Sequence, residues 1–369
     1  MPFSEDSDWL PSIAAMTFFT AKPRMRRGSL RWVTLSLAII TFGSLALLPT
    51  GYVIERPGQV FNVMGEVGGE PVISASDTET YPSQSRFDVT TVSLLGNREA
   101  TPSWFQVLWA WADPDQLVMP LDEVFPPSRT TEEIRAESSL QMEVSQQDAI
   151  AASLMQLGYE VPRQMYVASV IEDAPSSGIL VAGDFVKSAG GEPVDTFEEL
   201  KASIQLAGGG QIEIGVEREG QLVQFLIEPD QRDGSWVIGA MIGYTYDFPV
   251  DIQLQLGEVG GPSGGLMFAL GILDALEPGD LAGEHHVSGT GTISADGTVG
   301  PIGGIDLKMK AAAASGAELF LAPSGNCQEA IGQVPEGLAV TSVRDLSEAV
   351  AAVEQLKFGE TFPPLSCNN

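Results

Sequence analysis

The sequence predicts a multidomain α/β chain of the α+β kind, carried behind one N-terminal transmembrane helix. Three observations predict it. The 369 residues, 44% hydrophobic and 18% charged, suit two or three compact domains rather than a disordered chain or a membrane bundle. Residues 32–54 carry no charge and follow five basic residues. From Trp236 onward, short β-branched runs alternate with apolar stretches of helical spacing.

Charge narrows the function. Nineteen Lys and Arg against 49 Asp and Glu give a net charge of −30. Such a surface repels phosphate backbones, so a nucleic-acid partner is excluded. Two His and two Cys are too few for a His/Cys zinc site or a disulfide scaffold. No metal or other cofactor is called for.

Taken in order, residues 1–31 read as a cytoplasmic tail and 32–54 as the anchor. Twenty-three helical residues would span roughly 34 Å, enough for a hydrocarbon core of about 30 Å. Lys22, Arg24, Arg26, Arg27 and Arg31 put the N-terminal side in the cytoplasm, and Trp32 and Tyr52 fall where interface aromatics belong. The expected location is therefore the cell membrane, with one pass and everything after Tyr52 outside. Ser44-Leu45-Ala46 also fits a signal-peptide cleavage site. The length of the apolar run favours retention.

Residues 55–163 form an N-terminal extracytoplasmic region without visible chemistry. Residues 86–95 alternate as a strand, 104–111 suit a short helix, and 145–157 read as a helix capped by Ser145 and stopped by Gly158. Its expected role is connection and packing. Residues 164–230 hold strands at 165–170 and 184–188. A helix follows from the Thr196…Glu199 capping box to Leu206, then a hairpin across Glu219-Gly220. Residues 235–358 hold strands at 237–242, 252–256, 318–322 and 338–343, with helices at 265–276, 305–315 and 346–356. Residues 359–369 are a C-terminal tail.

Two segments of the last domain carry chemistry. Gly260-Gly261-Pro262-Ser263-Gly264-Gly265 joins a strand to an apolar helix. A hydroxyl at a helix N-terminus faces unpaired N–H groups that favour negative charge, which suits a nucleophile producing an oxyanion. Gly300-Pro301-Ile302-Gly303-Gly304-Ile305-Asp306-Leu307-Lys308 is a glycine-rich turn entering a helix, and it contains one of only six Lys.

The segment VIEDAPSSGILVAGDFVKSAGGEPVDTFEEL resembles the PDZ domains of bacterial proteases. GGPSGGLMFALGILDAL followed by SGTGTISADGTVGPIGGIDLKMKAA, with 45 residues from Ser263 to Lys308, resembles the proteolytic domain of Lon-type peptidases. Anchor, PDZ segment and Lon-like domain in this order resemble the membrane-anchored Lon-like proteases of bacteria. The resemblance implies a Ser-Lys dyad, with serine on Ser263 and lysine on Lys308. It also implies protein or peptide substrates selected by the PDZ-like domain, a peptide-binding loop near residues 158–165, and a homo-oligomer, a hexamer in full Lon enzymes.

The chain departs from the family pattern in three places. Pro-Ser-Ala-Gly is replaced by Pro-Ser-Gly-Gly, where small residues fit equally. A Thr-Gly-Glu motif whose hydroxyl bonds the lysine is matched by Ala282-Gly283-Glu284, leaving Ser288 or Thr290 to replace that hydroxyl. No phosphate-binding G-x-x-x-x-G-K-[ST] loop occurs, so the implied peptidase is independent of ATP.

Other readings of these residues are weaker. Gly261-x-Ser263-x-Gly265 also satisfies an α/β-hydrolase elbow, but His285 and His286 follow too closely to complete that triad. Glu284-His285-His286 lacks metalloprotease spacing. An inactive peptide-binding scaffold is the alternative of a different class, and retention of both Ser263 and Lys308 argues against it. Cys327 and Cys367 are read either as a pair or as free thiols.

Overall fold

The computed structural model describes residues 27–232, 234–255 and 260–367. The expected tail is therefore described only from Arg27, and Leu256, the end of an expected strand, lies outside the described residues. Helix α1 (Arg27–Leu47) stops ahead of Pro49, whose ring removes a donor and turns Leu48 from helical dihedrals. Among the described residues no helix is long and apolar enough to cross a membrane. The anchor expected over 32–54 is corrected at its far end. Tyr52 opens strand β1 (Tyr52–Asn62), and Val53 and Ile54 are sheet core. Their apolar character reflected packing against protein.

Strands β2 (Ile73–Ser76) and β3 (Arg86–Leu95) follow, then helix α2 (Trp104–Ala112), which the Ser103–Gln106 capping box opens. Strand β4 (Leu117–Pro120) precedes helix α3 (Thr131–Gln156), started by a second capping box of Thr130 and Glu133. Ser145 is thus no cap. It lies inside a 26-residue helix and is buried. Gly158, at φ +84°, ends that helix as expected.

The next body has its own core of Met165, Val167, Val186, Leu200 and Ile214. It contains β5 (Arg163–Val170), β6 (Phe185–Ala189), α4 (Phe197–Ala207), β7 (Ile212–Arg218), β8 (Gln221–Ile227) and β9 (Ala240–Tyr246). Glu219 and Gly220 both have positive φ, the geometry of a tight hairpin turn. The strand order is β8-β7-β6-β5-β9. This body therefore runs to Tyr246, past the expected boundary at 230, because β9 pairs with β5. Residues 158–162 lead into β5, which lies between β6 and β9, so among the described residues the outer edge of the sheet on that side is that of β9.

The chain then returns to the first body. Strand β10 (Asp251–Leu254) pairs with β2. Helix α5 (Gly265–Leu276), strand β11 (His286–Gly289), helix α6 (Ile305–Ser315), strands β12 (Leu319–Pro323) and β13 (Ala339–Val343), and helix α7 (Leu346–Lys357) complete it. Its sheet has the order β13-β12-β11-β3-β1-β4, with β3, β11, β12 and β13 parallel. Residues 55–163 are consequently no connector. They supply half of this sheet, and the β5–β9 body is inserted between its two parts. Strand pairing across nearly 200 residues leaves no local trace in sequence.

Strand β12 shows the layering. Leu319 and Leu321 join the core under α5, α3 and α7, while Phe320 and Ala322 join the core under α6. Alternation at period two thus packs both faces, as a parallel strand requires. Cys327 and Cys367 form a disulfide with Cα atoms 5.7 Å apart, fastening the tail to the short helix Cys327–Ala330.

Candidate active site

Ser263 lies in the single turn Pro262–Gly264 that leads into α5. Gly261 takes φ +88°, a conformation an L side chain rarely adopts, and lets the backbone double back before Pro262. At Gly265 an added Cβ would meet Ser145 Oγ at 2.7 Å, Ile293 Cγ2 at 2.8 Å and the Ile293 backbone nitrogen at 3.1 Å. The helix start is therefore pressed against β-sheet and α3 with no room for a side chain. Gly264 is looser, with Val89 Cγ1 at 3.2 Å as the nearest atom.

Helix α3 holds this turn. Ser145 Oγ donates to the Pro262 carbonyl at 2.9 Å, and the Gly261 N–H donates to the Ser138 carbonyl at 3.0 Å. On the other side, the Gly291 N–H and Thr290 Oγ1 both donate to the Ser263 carbonyl, at 2.8 and 2.9 Å. The backbone of Ser263 is thus fixed from two directions.

Lys308 reaches the same point from α6. Gly304, at φ +67°, begins that helix, and the Lys308 N–H closes its first turn on the Gly304 carbonyl. The side chain is 3% exposed. Its Nζ lies 2.8 Å from Ser263 Oγ and 2.9 Å from Thr290 Oγ1. Among the described residues no carboxylate pairs with it. Burial alone pushes the amine down to about 8, because a low-dielectric surrounding penalises the charged form. Lys310 points elsewhere and pairs with Asp115 at 3.2 Å.

The two candidate residues are therefore brought together, and Thr290 is the hydroxyl that holds the lysine. Ser288, the other possibility in sequence, donates instead to the Asp88 carbonyl. Ala282 is away from the site, its N–H donating to Ser85 Oγ. His286 Nε2 bonds Asp88 at 2.6 Å and His285 Nδ1 bonds Glu318 at 3.0 Å, so both imidazoles are engaged by carboxylates away from Ser263. Ser145 and Ser138 were invisible as site residues, because no local pattern links them to a turn more than a hundred positions away.

A cleft of about 220 Å³ opens at Ser263 and Lys308, walled by Thr90, Thr91 and Val92 of β3 and by Met142 of α3. Strand β11 pairs with β3 only as far as Val89. The edge of β3 beyond that point borders the cleft and can accept an extended chain. An amine of lowered pKa beside a hydroxyl, at a helix N-terminus, can take the hydroxyl proton and leave the oxygen nucleophilic.

Residues 249–355 match the family model described as the Lon protease (S16) C-terminal proteolytic domain. Lon protease 2 of Bacillus subtilis is 34% identical over 157 residues, 42% of this chain and 28% of that protein. Lon protease of Mycoplasma mobile is 31% identical over 144 residues, 36% of this chain and 17% of that one. The chain thus matches less than a third of the length of either relative. Similar solved structures include the PDZ domain of an SdrC-like protein of Listeria monocytogenes, 25% identical, covering 21% of this chain and 85% of that one, with a TM-score of 0.20. The PDZ domain of an SdrC-like protein of Listeria innocua is 27% identical, covering 21% and 92%, also with a TM-score of 0.20. In its last third, this chain carries a proteolytic domain of the Lon (S16) type, that of a serine peptidase.

Proposed function

We propose that this chain is a membrane-tethered serine endopeptidase, independent of ATP, that hydrolyses extracytoplasmic protein segments with Ser263 as nucleophile and Lys308 as general base. The observation that carries the reading is the 2.8 Å separation of a buried Lys308 Nζ from Ser263 Oγ. With a pKa of about 8, roughly a tenth of the lysine is neutral at pH 7, against roughly one in 2,500 for an ordinary lysine.

In the first step neutral Lys308 takes the Ser263 proton as the oxygen attacks the peptide carbonyl. The developing oxyanion is stabilised at the N-terminus of α5. Protonated Lys308 then gives its proton to the departing amine, leaving an acyl-serine. Water, deprotonated by the same lysine, releases the acid. Thr290 donates its proton to the Ser263 carbonyl and offers a lone pair to Lys308, which orients the amine through the cycle.

Selection of substrate is assigned to the inserted body. The outer edge of β9, unpaired among the described residues and close to Phe197 and Glu198 of α4, suits addition of an extended peptide as a further strand. Tethering is assigned to α1, whose Trp32, Leu37, Ile39, Ile40 and Phe42 are exposed and whose basic neighbours precede it. The Cys327–Cys367 disulfide supports a location outside the cytoplasm. Assembly into a ring rests on the family resemblance alone.

A fluorophosphonate probe tests the reading. The parent should label at Ser263, and Ser263→Ala should not. A folded parent that fails to label, while binding peptides through β9, would point to a scaffold instead.

A further inference from the structure

Helix α2 contains no charged residue, and only one side of it is used by the fold. Val107 and Ala110 are buried against Ile54. The opposite side exposes Phe105 at 51%, Leu108 at 49% and Trp109 at 65%, while Trp111 flanks the buried side and packs edge-on against Tyr52, ring centroids 6.0 Å apart. Positions 105, 108, 109 and 112 form one stripe at helical spacing. A monomer gains nothing by holding Phe105, Leu108 and Trp109 in water.

This surface is joined to α1. Phe42 of α1 packs edge-on against Phe105 of α2, with ring centroids 6.0 Å apart. Where α1 ends, Pro49 bridges to Ser103. The Thr50 N–H donates to Thr101 Oγ1 at 3.2 Å, and buried Thr50 Oγ1 donates to the Pro102 carbonyl at 2.8 Å. The exit from α1 and the start of α2 are thus stitched together. Wherever the end of α1 lies, the beginning of α2 lies within hydrogen-bond distance of it.

We infer that α2 lies along the surface of the bilayer, with Phe105, Leu108 and Trp109 in the boundary between headgroups and acyl chains. The inference rests on the tethering assigned to α1. Uncharged helices with exposed indole rings match that boundary, where the ring is apolar and its N–H can meet polar headgroups. A second copy or a peptide would have to cover the stripe while the adjoining side chains of α1 sit in lipid. Lipid covers both without a break. Asp113 and Asp115 follow immediately, so zwitterionic phosphatidylcholine is the matching lipid and anionic lipid is not. α2 then fixes how the catalytic body stands on the membrane, because β1, which follows α1, is in its sheet.

The test uses the full chain reconstituted in phosphatidylcholine vesicles, with and without bromine on the acyl chains. Three proteins are compared: the parent, Trp32→Phe and Trp109→Phe, exposed changes that keep the apolar surface. The emission contributed by Trp109, read as the difference between the parent and the Trp109→Phe variant, should be quenched by brominated lipid. Quenching of the Trp32 contribution alone would leave the tether standing and overturn the inference for α2. Shielding of Trp109 from aqueous iodide without quenching by brominated lipid would place protein on the stripe and overturn it too. If neither contribution is quenched, tether and inference fall together.

Discussion

Lys308 Nζ sits 2.8 Å from Ser263 Oγ and 2.9 Å from Thr290 Oγ1. The amine comes from the first turns of α6 and the hydroxyl from the start of α5, on opposite faces of one sheet. They meet beyond the end of β11, which stops at Gly289 and lets the two helices reach each other past the sheet.

Burial of Lys308 has a consequence for stability. Its pKa falls from the ordinary 10.5 to about 8 on folding. Between those values the unfolded chain binds the proton and the folded one does not, so stability rises with pH across that window. Below about pH 8 the penalty is fully present, on the order of 3 kcal/mol. Lys308→Met should therefore raise the unfolding midpoint at pH 7 and flatten the rise of stability between pH 8 and 10. Calorimetry over that range checks both.

Thr290→Val should lower kcat without a comparable change in KM, by about 10- to 100-fold, since the lysine loses the group that orients it. Thr290→Ser keeps the hydroxyl and should recover most of the rate. Equal losses in both variants would show that packing, not the hydrogen bond, is what matters there.

The two glycines after Ser263 should behave differently. Gly265→Ala drives a Cβ into Ser145, Ile293 and backbone, and should destabilise by about 1–3 kcal/mol. Gly264→Ala meets its nearest atom at 3.2 Å and should fold and remain active. Urea unfolding with a peptide assay separates them.

The disulfide closes a loop between residues 40 apart in sequence. Cys327→Ser with Cys367→Ser should lose about 2–4 kcal/mol and free the tail to proteolysis. Fluorophosphonate labelling at Ser263 should persist, because the pair lies outside the active-site cleft. Limited digestion with chymotrypsin, whose sites include Phe358 and Leu365, followed by mass spectrometry reads the tail.

Legibility of the sequence followed the reach of each interaction. Ser263 and Lys308 could be read because the two glycine-rich segments that hold them, taken together, resemble the Lon-type pattern. Thr290 could be narrowed to one of two hydroxyls, and only the position past the end of β11 chose it over Ser288. Ser145 was misread as a helix cap, since its partner, the Pro262 carbonyl, is 117 positions away. Val53 and Ile54 extended the anchor on paper because an apolar residue looks alike facing lipid or a sheet core. The same blindness hid the pairing of β3 with β11 and of β9 with β5, so one body looked like two regions and the inserted one looked too short.

The central claim is that a neutral Lys308 is the base for Ser263. Peptide hydrolysis against pH, for the parent, Lys308→Arg and Lys310→Arg, tests it most directly. The parent rate should rise with pH through about 8, as the lysine loses its proton. Lys310→Arg should follow the same curve, since Lys310 pairs with Asp115 away from the cleft. Lys308→Arg should be folded by circular dichroism and inactive at every pH, because a guanidinium does not deprotonate in proteins. A Lys308→Arg protein that still hydrolyses peptide would contradict the account.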